Sequence, residues 1–348
     1  MSVLKVGHFQ SLDLSAPGSV VIHDRIYGSH TISEPALVDL LRSRALARLI
    51  GVRQHGISGF FGITPSITRF EHSVGAFLLV RLVGGSLEEQ VAGLLHDISH
   101  TTMSHVVDFA FLDPGEGSFH EVHKIRLIKT TEIPGILTKH GFGDLKPLDE
   151  ELFPLVEQTA PHLCADRLDY GLRDSLGFGN LKVEDAHAVV SSLKAHPNSN
   201  SPTRMLVLQD PSVALTLARA YMKSDRNVWG NPAHGQLYTR TANLMRDAIR
   251  DGGIEEDELW RLSDDEFWAK MRTVLDAEGQ KEMASLEAEG LPNEKGLSLP
   301  LGAKIRTIDP DICTPSSQEA VPLSVLIPAY AAEKEEYVRA RKALFTKD

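Results

Sequence analysis

The chain is 348 residues long, 42% hydrophobic and 24% charged, which is the balance of an ordinary globular protein with length for one large or two modest domains. Its net charge of −11 repels DNA, RNA and anionic lipid, yet leaves room for a local basic pocket that takes a small polyanion. Two cysteines, Cys164 and Cys313, without CxxC spacing exclude a thiolate zinc site and give no sign of a disulfide framework. The opening MSVLKVGHFQSLDLS carries no basic-then-apolar leader, and no apolar run approaches the roughly 20 residues of a bilayer span, so a soluble cytoplasmic protein is expected, with the nucleus also open to it.

In chain order, SVVIHDRIYG alternates apolar residues up to a glycine and predicts a small hairpin. From Glu34, ALVDLLRSRALARLIGV has the three- and four-residue spacing of one amphipathic helix, and GISGFFGITPSIT reads as a loop. RFEHSVGAFLLVRLVGG predicts a helix stopped by Gly84-Gly85, and SLEEQVAGLLHD a helix opened by a capping box of Ser86 with Gln90. HEVHKIRLIKTTE, EELFPLVEQTA and CADRLDYGLRDSLG predict further helices, the last stopped by GFGN at 177–180. After the loop AHPNSNSPT, RMLVLQD predicts a strand, and PSVALTLARAYMKSD and LYTRTANLMRDAIRD two helices. The acidic stretch 251–296, with EEDELWRLSDDEF, predicts a solvated surface helix pair. LGAKIRTIDP and VPLSVLIP predict two strands, and AAEKEEYVRARKALF a final helix. The fold class expected is mainly α, with small antiparallel β elements at the N-terminus, middle and C-terminus. An N-terminal β-hairpin region (1–33) precedes a helical core (34–195) and a helical extension (196–348) whose C-terminal β/α elements pack on that core.

Residues 96–105, HDISHTTMSH, place three histidines and an aspartate in ten positions directly after the apolar VAGLL. A buried core must find a partner for every ring nitrogen, whereas a metal-centred site uses them all. His96 and Asp97, adjacent at a helix end, can reach one ion. His72 in RFEHSVG and Asp166 in LCADRLDYG would complete two imidazoles and two carboxylates, a mixed nitrogen and oxygen set suited to iron, manganese, zinc or nickel with positions left for water. Asp169, on the same helix as Asp166, competes for its place. Taken alone, His105 with Asp108 also fits a helix-surface pair, and Tyr170 fits plain core.

The segments RFEHSVG, AGLLHDISH, TTMSHVVD, FHE and DRLDYGLRDSLG together resemble the HD-domain phosphohydrolases, and look most similar to the deoxynucleoside triphosphate triphosphohydrolases of the SAM-and-HD-domain type. The resemblance continues upstream through RQHGISGFFGITPSITRFEH and downstream through LTLARAYMKSDRN and KIRTIDP, and too little chain precedes the core for a SAM domain. It implies that residues 34–195 form an HD-domain catalytic core, that His72, His96, Asp97 and Asp166 hold a divalent ion (iron, manganese, magnesium, zinc or nickel), and that Arg69, His100, His120 and Arg167 face phosphates. Arg167 stands where relatives often have lysine. His105 is implied as general acid on the leaving oxygen, oriented by Asp108 and Glu121. Tyr170 and Asp174 would meet the sugar, with Gln54 near its 3′ side and His55 where the family more often has leucine. The implied reaction is attack of metal-activated water on the α-phosphorus, giving a deoxynucleoside and triphosphate. A small-molecule nucleotide and a homodimer or homotetramer are the implied partners.

Two departures from that family bear on regulation and specificity. Its nucleotide-activated members grip a guanine nucleotide through an aspartate, a glutamine and an arginine, where this chain has Arg42, Ala47 and Ile50. GTP-gated assembly of that type is therefore not expected. In RNVWGNPAHGQLYTR, either His234 or Tyr238 stands in for a sugar-sensing tyrosine. Three other activities are compatible with the residues: a nucleotidase or phosphatase acting on a smaller phosphate ester, a di-iron oxygenase using His100 and His120 as extra ligands, and an inactive binding scaffold.

Overall fold

A computed structural model describes residues 8–112, 117–300, 303–317 and 319–345, so the first seven residues of the N-terminal region and Leu301-Gly302 of the expected strand LGAKIRTIDP lie outside the described residues. The N-terminal hairpin is one strand larger than expected. Strands β1 (Phe9–Asp13), β2 (Val20–Asp24) and β3 (Gly28–Ile32) form an antiparallel meander. Along β2 the side chains of Val20, Ile22 and Asp24 are buried and the two between them are half-buried, the period-2 pattern of a strand with one face on a core.

The helix expected from Glu34 is broken into α1 (Pro35–Leu41), α2 (Arg44–Ala47) and a 3₁₀ turn at Arg48–Gly51. Ser43 is the cause. Its backbone is extended, and its hydroxyl accepts from the Leu46 amide at 3.2 Å and donates to the Leu40 carbonyl at 2.7 Å, so it caps a new helix in the middle of the apolar pattern. A short helix, α3 (Gly56–Phe60), interrupts the expected loop. Helix α4 (Arg69–Leu82) is capped by Thr68 and buried at every residue from Arg69 to Val80, and Gly84, at φ +80°, ends the run. In α5 (Leu87–Leu95), Ser86 accepts from the Glu89 amide. The expected box partner, Gln90, sits one residue too far and donates to the Gly85 carbonyl instead.

Helices α6 (Val106–Phe111), α7 (Phe119–Ile128) and α8 (Ile133–Lys139) follow. The helix expected over EELFPLVEQTA reduces to a 3₁₀ turn at Glu150–Leu152, because Pro154 lacks an amide hydrogen and disfavours helical backbone before it. Helix α9 (Ala165–Gly177) stops within GFGN as expected, and α10 (Val183–Ser192) leads into a second sheet. That sheet has the order β4 (Leu193–His196), β5 (Met205–Leu208), β6 (Asp311–Ile312), β7 (Val321–Pro322), with β5 and β6 parallel. It crosses the division expected at residue 195 and ties the C-terminal region to the middle of the chain. The expected strand LGAKIRTIDP carries no strand among its described residues, β6 starting just after it at Asp311, and VPLSVLIP keeps only Val321–Pro322 as strand while half of it becomes helix α15 (Leu323–Leu326).

The remaining helices are α11 (Pro211–Ser224), continued by a π-turn at Asp225–Trp229, then α12 (Pro232–Arg250), α13 (Asp264–Val274), α14 (Ala277–Glu289) and α16 (Pro328–Lys342). The architecture is mainly α. One apolar cluster joins the N-terminal sheet, α1, α4, α5, α9 and α11, with Tyr330 and Tyr337 of α16 packed into it. A second joins α3, α6 and α12 to α14. The acidic stretch is therefore more than a solvated pair: it buries Phe267, Trp268, Met271, Met283 and Leu286, each worth about 1.5–3 kcal/mol if fully transferred from water. No described helix is long and apolar enough to cross a membrane.

Candidate metal centre

Helix α4 packs against both α5 and α9, which brings together His72, the His96-Asp97 pair at the end of α5, and Asp166 in the first turn of α9. The His72 Nε2 atom lies 3.1 Å from His96 Nε2, 3.0 Å from Asp166 Oδ1 and 3.6 Å from Asp97 Oδ2. Asp166 Oδ1 is also 3.5 Å from His96 Nε2. Two ring nitrogens facing each other inside a ring of carboxylates favour a cation between them. Burial opposes charge on His72, but hydrogen bonds to Asp166 and Asp169 outweigh it and carry the imidazole up to about 10. At His96 burial likewise opposes, and Asp97 and Asp166 raise it. His72, His96 and Asp97 can bring one ligand atom each within 4.8 Å of one another, so they could hold a divalent ion in place of that proton, with Asp166 beside both rings.

The opposite ring nitrogens are fixed. His72 donates from Nδ1 to Asp169 Oδ2 at 2.7 Å, and His96 donates from Nδ1 to the Gly93 carbonyl at 2.8 Å, so both Nε2 lone pairs face the centre. The two aspartates of α9 thus differ in partner: Asp166 lies against the Nε2 atoms of both rings, and Asp169 accepts from His72 Nδ1. Behind Asp169 lies a fully buried network. Tyr27 donates to it at 2.6 Å and Arg173 at 2.9 Å, while Arg173 also pairs with Glu71 and Asp24. The N-terminal sheet supplies Asp24 and Tyr27's turn, which is how it supports the site. Gly75 makes the approach possible, since a Cβ there would lie 1.8 Å from Asp169 Oδ1 and 2.6 Å from an Arg173 amino group.

On the other side of Asp97 stand three more imidazoles. His100 Nε2 is 3.3 Å from Asp97 Oδ1, the His100 and His120 ring centroids are 3.6 Å apart, and those of His100 and His105 are 5.0 Å apart. The Nδ1 atoms of His100 and His120 are buried and have no hydrogen-bond partner among the described residues. Burial, helped by Arg69 at His100 and by His100 at His120, holds both rings well below the usual histidine range, so they are neutral. Asp97, His100 and His120 can also bring one ligand atom each within 4.8 Å of one another, as can Glu157, Cys164 and Asp166. Arg69 donates to Asp97 Oδ2 at 2.6 Å and to Ser104 Oγ at 3.0 Å. Burial opposes charge on Asp97 as well, but His100, Arg69 and His96 together hold its carboxyl well below the usual range.

His105 is 41% exposed at its side chain and donates from Nδ1 to Asp108 at 2.8 Å, and the second Asp108 oxygen accepts from the Phe119 amide. Glu121 differs from expectation. It occupies the third position of α7 and closes a capping box with Ser118, so its carboxylate is spent on the helix end instead of on His105. Burial raises its pKa. The loop that carries His105 is strained, with Met103 at φ +58° and Ser104 at φ +47°. Buried Asp264, from the acidic stretch, holds it by accepting from the Met103 amide at 2.7 Å and the Arg53 amide at 2.8 Å. Nothing in the charge pattern of DDEF marks that aspartate as different from its neighbours.

Of the residues expected around the sugar, Asp174 and Tyr170 are already engaged. Asp174 accepts from Trp229 Nε1 at 2.8 Å and lies 3.1 Å from His55 Nε2. Tyr170 packs edge-on against Trp229 and its hydroxyl meets that of Tyr221. Gln54 Oε1 is buried without a partner. Tyr238 donates to the His55 carbonyl at 2.7 Å and His234 lies 2.8 Å from Ser58 Oγ, so both flank His55. Trp229 escaped the sequence reading, where its segment had no regular pattern. Arg167 is turned into its own loop, donating to the carbonyls of Gln158 (3.0 Å) and His162 (2.7 Å) with Glu157 at 3.4 Å. Arg42 is likewise spent, on the carbonyls of Leu14 and Pro17.

Comparison with known proteins agrees with a centre that holds a divalent metal. The HD domain family matches residues 69–158, which contain His72, His96, Asp97, His100, His105 and His120. The chain is 52% identical over 335 residues to the metal-dependent phosphohydrolase cns2 of Cordyceps militaris, covering 96% of this chain and 97% of that one. It is 35% identical over 271 residues to the uncharacterized protein YdhJ of Bacillus subtilis, covering 76% and 78%. It is 28% identical over 173 residues to the deoxynucleoside triphosphate triphosphohydrolase SAMHD1 of Danio rerio, covering 43% of this chain and 27% of that one.

Proposed function

We propose that this chain, which belongs to the HD-domain family of metal-dependent phosphohydrolases, hydrolyses deoxynucleoside triphosphates to deoxynucleoside and triphosphate. The observation that carries the reading is the pair of buried, unpartnered Nδ1 atoms of His100 and His120 on the far side of Asp97 from the ligand cluster. An unsatisfied buried polar atom costs about 1–3 kcal/mol, a cost that phosphate oxygens would relieve here by accepting from the rings once these carry a proton on Nδ1. Similarity to a deoxynucleoside triphosphate triphosphohydrolase over 43% of the chain supports the nucleotide.

His72, His96, Asp97 and Asp166 would hold the ion, which when bound supplies an acidified water and polarises a phosphoryl oxygen. Arg69, between Asp97 and Ser104, neutralises charge developing on the attacked phosphate. His100 and His120 donate to the oxygens beyond it, and a bound anion raises their readiness to take protons. His105 holds a proton at Nε2, kept in register by Asp108 on Nδ1, and passes it to the leaving oxygen. Gln54, Tyr170 and Asp174 line the sugar side, and a sugar hydroxyl there must share Asp174 with His55 and Trp229.

One observation favours a smaller phosphate ester as substrate. Arg167, the second cation expected on a triphosphate, is committed to two carbonyls and Glu157. Incubation with the four dNTPs and Mn²⁺ or Mg²⁺, read by anion-exchange chromatography, tests both readings. Deoxynucleoside with intact triphosphate supports the first. Orthophosphate release, from dNTPs or from a nucleoside monophosphate, overturns it in favour of the second.

A further inference from the structure

Behind the catalytic loop, on the side away from the ligand cluster, lies a cavity of about 530 Å³ that the reaction above does not use. That volume is within the roughly 300–1,000 Å³ of small-ligand sites. Its walls carry four arginines, Arg44, Arg48, Arg126 and Arg261, against two carboxylates, Glu132 and Asp257, in a chain whose net charge is −11. The carboxylates and the two outer arginines are already engaged. Asp257 and Glu256 pair with Arg126, Glu255 pairs with Arg261, and Glu132 accepts from the backbone amides of Arg44 and Ala45.

Two cations are left over. The Arg44 side chain is exposed and makes no hydrogen bond or close ion pair among the described residues, and its charge reaches only the Glu132 carboxylate, itself bonded to backbone amides. Arg48 is held by the carbonyls of His100 and Ile98 alone, with no carboxylate among its partners, and burial lowers its pKa to about 10. A half-buried guanidinium with no carboxylate partner among the described residues keeps charge that a native protein ordinarily pairs. Trp260, also on the cavity wall, donates to the Ser99 carbonyl at 2.8 Å. The two residues together therefore hold three consecutive carbonyls, Ile98, Ser99 and His100, directly after the ligand Asp97.

We infer that this cavity is a binding site for a compact phosphate-chain anion, separate from the catalytic centre, with Arg44 and Arg48 as its principal contacts. Guanidinium forks suit phosphate oxygens, and two of them facing one cavity define a polyanion in preference to a single carboxylate. Because Arg48 grips the loop that carries Asp97 and His100, an anion on Arg48 acts on the catalytic loop from behind.

The test is isothermal titration of the metal-loaded protein with tripolyphosphate as its magnesium complex, with protein-bound metal measured afterwards. Three proteins are compared: wild type, Arg44→Glu, and Arg69→Ala, which weakens anion binding at the catalytic centre. The expected result is one binding equivalent that Arg44→Glu weakens at least tenfold and Arg69→Ala spares. A second equivalent with the reverse sensitivity reports the catalytic centre, so failure of the proposed reaction leaves the first readout intact. Unchanged affinity and stoichiometry in Arg44→Glu would overturn the inference, as would loss of all binding in Arg69→Ala with the fold intact by circular dichroism.

Discussion

The two sides of Asp97 are built from the same kind of residue and finished differently. On one side, His72 and His96 have their Nδ1 atoms fixed, by Asp169 and by the Gly93 carbonyl, before any ion arrives. On the other, His100 and His120 stack on each other with Nδ1 atoms that have no partner. The first side is preorganised, since its donors are held by groups that are themselves buried and bonded. The second is left unsatisfied among the described residues, which accords with the phosphate-facing role proposed for it. Carrier helices divide in the same way. The ligand residues sit on or at the ends of α4, α5 and α9 within the first apolar cluster, whereas His105 and Asp108 flank or lie on α6 in the second.

Mutation can break this comparison most directly at its shared member. Asp97→Ala is expected to lose bound metal and to cut turnover by more than about 10⁴-fold, past the range of a single acid–base group. Metal analysis and steady-state rates check both halves, and retained metal would mean that the ligand cluster is wrongly assigned. His105→Ala should keep the metal and lose about 10²- to 10⁴-fold in turnover. Equal metal loss in the two variants would erase the distinction between the sides. Asp169→Asn should sharpen it: the ring of His72 keeps an acceptor but loses the charge behind it, and metal affinity should fall by about 10- to 100-fold, as measured by competition with a chelator. An unaltered affinity would show that preorganisation of His72 does not matter.

A further expected effect is on stability, and it lies beside the second cluster. Burial, with a contribution from His55, holds the imidazole of His234 down to about 4. The unfolded chain takes up a proton on this residue below about 6.5, and the folded chain only near 4. Stability from this group is therefore whole above about 6.5 and is lost as pH falls through that window, by up to about 3 kcal/mol. Urea melts of wild type and His234→Gln between pH 7.5 and 4.5 should converge toward the acid end. A constant difference would place the titration elsewhere.

Much of this was legible in the sequence, and for a definable reason. His72, His96, Asp97 and Asp166 sit in segments whose apolar periodicity already fixes helices, so ligands at their ends or first turns are brought together by packing that the pattern announces. The roles of Asp264, Arg48 and Trp229 were not legible. Each acts on backbone or side chains far away in sequence, and each lies in a stretch where its type is common: an acidic run, a basic helix end, an irregular loop. Ser43 was hidden for a related reason, because one hydroxyl turning back on its own backbone overrides an otherwise continuous helical pattern. Glu121 was misplaced because a carboxylate at the third position of a helix has a partner close at hand, and takes it.

Gly75 has no atom that could bind, donate or accept beyond its backbone, yet the distance between two helices is set there. If that residue gained even a methyl group, α9 would have to back away from α4, carrying Asp169 off His72 and Asp166 off both rings. Such a change would leave every ligand, every acid and every base written in the chain as before. A survey of functional side chains would score the variant as intact, while a metal assay would score it as empty.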